Sequence, residues 1–340
     1  MNRRNFLKST AVAAGVGFAL PSFLSSVLRA EETSGPTKKV LFFTKSSGFQ
    51  HSVITRDGAN PQKLAYAEQI LTDLGAKHGF EVTCSKDGNI FAPGSIEQFD
   101  LFCFYTTGDL TQDSDKYGKK KNDKGKDVED KTKLLWREPG MPKGAKEGFL
   151  KAIEDGKGFV GFHCATDTFH SPKHVRGKID LYRDVNDKGE DEFDPYIKMI
   201  GGEFIIHGQQ QDATLKTIDP KFPGAEALNN AKFVEEWYSL KNFSPDLHVI
   251  LAQDCTGMHG EMYQRDPYPE TWARMNGKGR VFYTSMGHRE DVWQKPEFLN
   301  LVVGAMRWTT GKVDVDVTPN LKEATPGAEP KAPATAAAAK

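Results

Sequence analysis

The chain has 340 residues, with 45 basic and 46 acidic side chains and a formal net charge of -1. So balanced a charge excludes an overall field that would recruit nucleic acid or an anionic membrane, and it favours a small or uncharged partner. Four cysteines, Cys84, Cys103, Cys164 and Cys255, are widely spaced without any C-x-x-C, which excludes a zinc ribbon and a disulfide scaffold and leaves buried thiols as the default.

The first thirty residues read as an address. Asn2-Arg3-Arg4-Asn5-Phe6-Leu7-Lys8 is a twin-arginine pattern, followed from Ala11 to Leu28 by a weakly apolar stretch broken by Gly15, Gly17 and Pro21. Cleavage after Ala30 is expected, giving an exported, periplasmic protein with no integral membrane span in its mature form; retention as an uncleaved anchor is the alternative. Because twin-arginine export carries folded proteins, a cofactor can be loaded before transport. Residues 31–38 then read as a linker, residues 39–312 as one α/β domain and residues 313–340 as a disordered Pro/Ala-rich tail.

Lys39 to Thr44 is a short continuous apolar run, the pattern of a strand buried on both faces. Leu64, Ala67, Ile70, Leu71 and Leu74 follow at helical spacing, closed by Gly79. Phe80 to Cys84, Asp100 to Tyr105 and Gly158 to His163 read as further strands, the last preceded by a helix around Phe149 to Glu154. Such alternation predicts a three-layer α/β domain with a mostly parallel central sheet, in which Val40–Phe43, Leu101–Tyr105 and Phe159–Phe162 are adjacent. Between them, residues 111–146 are so rich in lysine and aspartate that they read as a mobile surface loop, and residues 170–194 as a charged excursion or lid. Strands are expected at 212–218, 247–252 and 271–285, the last split by a hairpin turn at Asn276-Gly277-Lys278-Gly279; a final helix carries Phe298, Leu301, Val302, Ala305 and Trp308 on one face.

In open α/β sheets ligands bind beyond the carboxyl ends of the strands. Of the nine histidines, His51, His163, His207 and His288 fall at such positions. Around them recur Gly48-Phe49-x-His51, Gly161-Phe162-His163-x-Ala165-x-Asp167, Gly201-Gly202-x-Phe204-x-x-His207, Glu235-Glu236-x-Tyr238, Pro269-x-x-Trp272 and Gly277-x-Gly279-Arg280-Val281-Phe282-Tyr283 ending in Gly287-His288. In order and spacing these segments resemble the trehalose-utilisation (ThuA-like) family. The resemblance implies the class I glutamine amidotransferase-like version of the flavodoxin-like fold and a role in carbohydrate utilisation, beside sugar oxidoreductases associated with 3-keto-sugars. It also implies a loss: His163 stands where the amidotransferase elbow places its cysteine, so glutamine hydrolysis is not expected.

Neutral imidazoles with a carboxylate suit zinc or another divalent metal, and His163, His207 and His288 are the expected ligands. The same groups also suit acid/base chemistry, with His163, His288 and Asp167 as catalytic residues. His51, Glu236, Tyr238 and Trp272 are the candidate sugar contacts, although Trp272 also reads as core, Asp167 as a helix cap, and Glu235-Glu236 as a pair with one member facing inward. Two functions follow: an enzyme acting on a glycoside or keto-sugar, or a non-catalytic protein that binds carbohydrate or docks on a sugar oxidoreductase. Either way, His163, His207 and His288 are expected to line one pocket with Asp167 or Glu236.

Overall fold

A computed structural model describes residues 36–58 and 60–329. The leader, residues 31–35 of the linker and residues 330–340 of the tail lie outside the described residues. Within the domain, β1 (Lys38–Phe43) leads to α1 (Tyr66–Lys77), β2 (Phe80–Ser85) and β3 (Leu101–Phe104). Then come β4 (Ser114–Lys121), β5 (Asp127–Glu138), α2 (Ala145–Glu154), β6 (Gly158–Phe162), α3 (Pro195–Ile200), β7 (Glu203–His207) and β8 (Gln211–Thr217). The chain continues through β9 (Lys232–Glu235), β10 (Tyr238–Lys241), β11 (His248–Asp254), β12 (Tyr268–Asn276), β13 (Gly279–Thr284), α4 (Pro296–Thr309) and the short α5 (Leu321–Ala324).

Nine strands form one mixed sheet in the order β2-β1-β3-β6-β13-β12-β11-β8-β9. Its first five strands are parallel and the remaining four antiparallel. As expected, β1, β3 and β6 are neighbours in the parallel half, and their apolar runs are wholly buried. Strand alternation explains the layers. Phe43 meets Phe104, which stacks on Phe149 of α2 at 5.0 Å and 10°, whereas the adjacent Phe42 points the other way onto Trp293, itself packed on Phe298 of α4. Residues Gly277 and Lys278 make the predicted tight turn between β12 and β13, with Gly277 at φ +62°.

Two expectations need correction. The charged stretch within 111–146 is not a loop: β4 and β5 pair as an antiparallel hairpin, with Arg137 against Asp115 at 2.6 Å and Glu138 buried at its root. Lacking a buried apolar face, it shows no hydrophobic alternation in sequence, and cross-strand polar pairs and backbone bonds take that place. Nor is the tail disordered throughout its length. Residues 313–329 run back over the domain: His248 Nδ1 meets the Thr318 carbonyl at 2.7 Å, the Val249 amide donates to Asn320 at 2.7 Å, and the Phe243 amide donates to Glu329 at 2.7 Å. Those contacts give partners to polar groups at the start of β11 and after β10, which composition alone does not reveal. Among the described residues, no helix is long and apolar enough to cross a membrane.

Candidate functional site

The carboxyl ends of β1, β6 and β13 open on one side of the sheet, and each delivers a histidine there. His163 follows β6 directly at φ +42°, a left-handed backbone that costs a non-glycine residue about 1–3 kcal/mol and is the hallmark of a strand-to-helix elbow. Its ring is locked. Nδ1 lies 2.8 Å from the Ser285 carbonyl, which can only accept, so Nδ1 carries the proton and the Nε2 lone pair faces Glu236 and His288. Tyr238 covers the ring with centroids 4.1 Å apart.

His51 arrives from the loop after β1, 2% exposed, with its ring edge-on to His163 and His288 at 4.9 and 5.2 Å. His288 is set by the turn after β13. Gly287 adopts φ +109°, and its carbonyl accepts from Tyr105 at 3.1 Å and from Trp293 at 2.8 Å. The Gly287 and His288 amides donate to Glu235 at 2.8 and 3.0 Å. Glu235 is therefore the inward member of the pair, a buried acceptor that holds the turn, and burial pushes its carboxyl up to about 7. Glu236, one residue on, points the other way into the histidines.

Four ligand atoms meet there: Nε2 of His51, Nε2 of His163, Nδ1 of His288 and Oε2 of Glu236, all within 4.8 Å of one another. From Glu236 Oε2 the distances to His288, His163 and His51 are 3.3, 3.5 and 3.8 Å, and His163 to His288 is 3.3 Å. Tetrahedral ligands with bonds of ~2.1 Å stand about 3.4 Å apart, so these four separations are close to those in a metal's coordination sphere. The electrostatics differ among the three imidazoles: burial alone would lower His288, but Glu236 beside it raises it. Burial pushes His163 down to about 3 and lowers His51, which keeps both neutral and able to offer a lone pair. Burial alone would raise Glu236, but the neighbouring His163, His288 and His51 hold it well below the usual carboxylate range. Among the described residues, His51 Nδ1 is buried without a hydrogen-bond partner.

A cavity of about 260 Å³ opens beside the cluster, lined by Phe49, His51, Asp167, Phe204, His207, Glu236 and Tyr238, with Arg176 and Gly177 of the charged excursion on its wall. A larger hollow of about 670 Å³ lies around α2, lined by Phe91, Ile96 and Ala145, and contains none of these groups.

The sequence-predicted residues divide accordingly. His163 and His288 meet; His207, expected as the third ligand, does not join them. It stands 3.3 Å from the other Glu236 oxygen, Oε1, and is half exposed, because β7 pairs with β10 outside the main sheet and carries it to the cavity mouth. His51, expected as a sugar contact, takes the third place in the cluster. Asp167, Glu236 and Tyr238 line the cavity. Trp272 is not a sugar contact: it is wholly buried in β12, donates to the Ile200 carbonyl at 2.8 Å and packs on Tyr283 at 4.4 Å. Cys164 is also wholly buried, and burial raises its thiol far above the range of a nucleophile. Sequence reasoning missed Glu203, His170 and His174, which gather behind Asp167; no motif marks them, since they come from β7 and the charged excursion.

Fold and site together define a flavodoxin-like α/β protein with a histidine-carboxylate cavity at the carboxyl edge of its sheet. Residues 185–309 match the family model described as trehalose utilisation (ThuA). Among solved structures, one provisionally designated thua-like, from Bacteroides uniformis, is 18% identical with a TM-score of 0.51, covering 81% of this chain and 92% of that one. Another so designated, from Parabacteroides merdae, is 15% identical with a TM-score of 0.49, covering 84% and 95%. No curated protein matches.

Proposed function

We propose that the chain is an exported enzyme of carbohydrate utilisation that holds a divalent metal such as zinc on His51, His163, Glu236 and His288 and acts on a glycoside or keto-sugar. The observation that carries this reading is the convergence of four ligand atoms at tetrahedral spacing beside an open cavity. A metal there would supply Lewis acidity toward a sugar oxygen entering as a fifth ligand. The chain's own groups do the rest. Phe49, Phe204 and Tyr238 offer an apolar face to a sugar ring, and Asp167, His207 and Arg176 surround it with acceptors and donors. At about 260 Å³ the cavity suits one sugar ring better than an oligosaccharide. The Ser285 carbonyl fixes the donor tautomer of His163, and Glu235 fixes the His288 turn, the outer-shell supports a metal site requires.

The test is the metal content of the purified protein before and after chelation, with turnover of 3-ketoglucose and its parent glucose in deuterated water. About one equivalent of metal is expected, absent from His163→Ala, with chelation abolishing turnover. Turnover by metal-free protein would replace the reading with histidine acid/base catalysis, and ligand binding without turnover would replace it with a binding protein. Export is tested separately by fusing residues 1–35 to a reporter, which should reach the periplasm only while Arg3 and Arg4 are intact.

A further inference from the structure

Behind the cavity His170 stands between two carboxylates, its Nε2 2.7 Å from Asp167 Oδ1 and its Nδ1 3.2 Å from Glu203 Oε1. Glu203 is wholly buried and also accepts from the Ser171 amide at 2.8 Å, the Ser171 hydroxyl at 2.6 Å and Asn242 at 2.8 Å. His174 stacks on His170 with centroids 3.5 Å apart and 13° between planes. These three residues have the composition of a metal site, but not its geometry. Lone pairs of two parallel rings run side by side and do not converge, so one ion cannot sit in both ring planes at ~2.1 Å. Two ring nitrogens that both face ionised carboxylates must instead both carry protons, which makes His170 an imidazolium.

The surroundings support that state. Burial alone would lower His170, but Asp167 and Glu203 raise it to about 9; burial and the neighbouring His170 push the stacked His174 down to about 4, so the ring pair carries one charge. Asp167 spends only Oδ1 on this clamp. Its side chain lines the cavity with His51, Glu236, His207 and Arg176, and Oδ2 makes no hydrogen bond among the described residues.

We infer that His170 is a positioning residue for a general base: clamped between buried Glu203 and Asp167, it turns the Asp167 carboxylate into the cavity to take a proton from a keto-sugar. In that step the C–H bond next to the sugar carbonyl breaks, its electron pair delocalises onto the carbonyl oxygen, and an O–H bond forms on Asp167 Oδ2. Return of the proton regenerates the carboxylate, so no oxidant or reductant is consumed. This role rests on the function proposed above; the clamp itself does not.

Two measurements on the full-length, metal-analysed protein separate them. In ¹⁵N spectra the His170 ring should show both nitrogens protonated at pH 7.5, and Asp167→Asn should make it lose its proton at lower pH. A neutral His170 at pH 7.5 would overturn the clamp. With 3-ketoglucose in deuterated water, Asp167→Asn should slow deuterium incorporation about 100-fold. His170→Gln should cut kcat at least tenfold with KM and metal content nearly unchanged, and should remove the fall in rate that the wild type shows near pH 9. Unchanged kcat and pH profile in His170→Gln would overturn the positioning role, and Asp167→Asn decides the case if that variant fails to fold. A metal-bearing wild type that exchanges no deuterium would overturn the role of Asp167 as a base while leaving the metal site standing; a wild type that neither binds metal nor exchanges would overturn the proposed function as well.

Discussion

Two groups of histidines and carboxylates flank the same cavity and differ in what their polar atoms face. In the cluster of His51, His163, His288 and Glu236, the outward nitrogen of His163 is held by the protein and the inward one is left with a lone pair, aimed at a point shared with its neighbours. In the cluster of Asp167, His170 and Glu203, both nitrogens of His170 are already matched to carboxylate oxygens, and the remaining oxygen of Glu203, Oε2, is filled by the Ser171 hydroxyl and Asn242. Similar residue types thus make an open donor set in one place and a closed ion network in the other. Composition does not distinguish a metal site from an ionic clamp; the direction of lone pairs does.

The sharpest way to break this contrast is to remove one member of each cluster. His163→Ala should abolish metal binding, a loss beyond the ~10–100-fold that an outer-shell substitution costs, whereas His170→Gln should leave metal affinity within a few-fold. Calorimetric titration of zinc into the metal-free proteins checks both. Equal losses in the two variants would erase the distinction.

Trp272→Ala comes next. As a buried side chain with a 2.8 Å hydrogen bond to the Ile200 carbonyl, it should cost about 3–5 kcal/mol of unfolding free energy by denaturant titration. A variant of unchanged stability but weakened sugar binding would return Trp272 to the cavity, against its position in β12.

A smaller effect is expected from the pH dependence of the clamp. His170 is raised in the folded state from its ordinary 6.5 to about 9, so its contribution is fully present below about pH 6.5 and is lost as pH rises through about 9. Roughly 3 kcal/mol is at stake on a scale of ~1.4 kcal/mol per pH unit. Asp167, Glu203 and His174 are the charged or titratable groups facing it. Denaturant melts of wild type and His170→Gln should therefore differ most at pH 6 and converge above pH 9; a difference that widened with pH would contradict an imidazolium. The smallest effect belongs to the exposed hairpin pair Lys121–Asp127 at 2.8 Å, where Lys121→Ala should leave the melting temperature unchanged, since exposed pairs are screened by solvent and salt.

The parallel half of the sheet was legible because a strand buried on both faces must be apolar along its whole length, as Val40–Phe43 and Phe159–Phe162 are. The β4–β5 hairpin was not, because its polar surface leaves no alternation to read. Convergence of His51, His163 and His288 followed from topology, since the parallel strands β1, β6 and β13 end on the same side. Exchange of His207 for His51 among the clustered ligands did not, because β7 leaves the main sheet to pair with β10, a pairing that no local pattern announces. The same limit applies to Trp272: an aromatic residue in a strand shows the same letters whether it faces a cavity or the core.

By itself, the sequence determined the α/β class, the order of the buried strands, the turn at Gly277 and the positions where polar residues emerge from strand ends. All of these are local consequences of apolar periodicity and backbone preference. Only the tertiary structure decided which histidines share a point, which member of Glu235-Glu236 faces inward, and that His170 lies between two carboxylates. Such facts depend on atoms from segments far apart in the chain meeting within about 4 Å, and a periodicity read along one segment carries no information about the direction of a side chain on another.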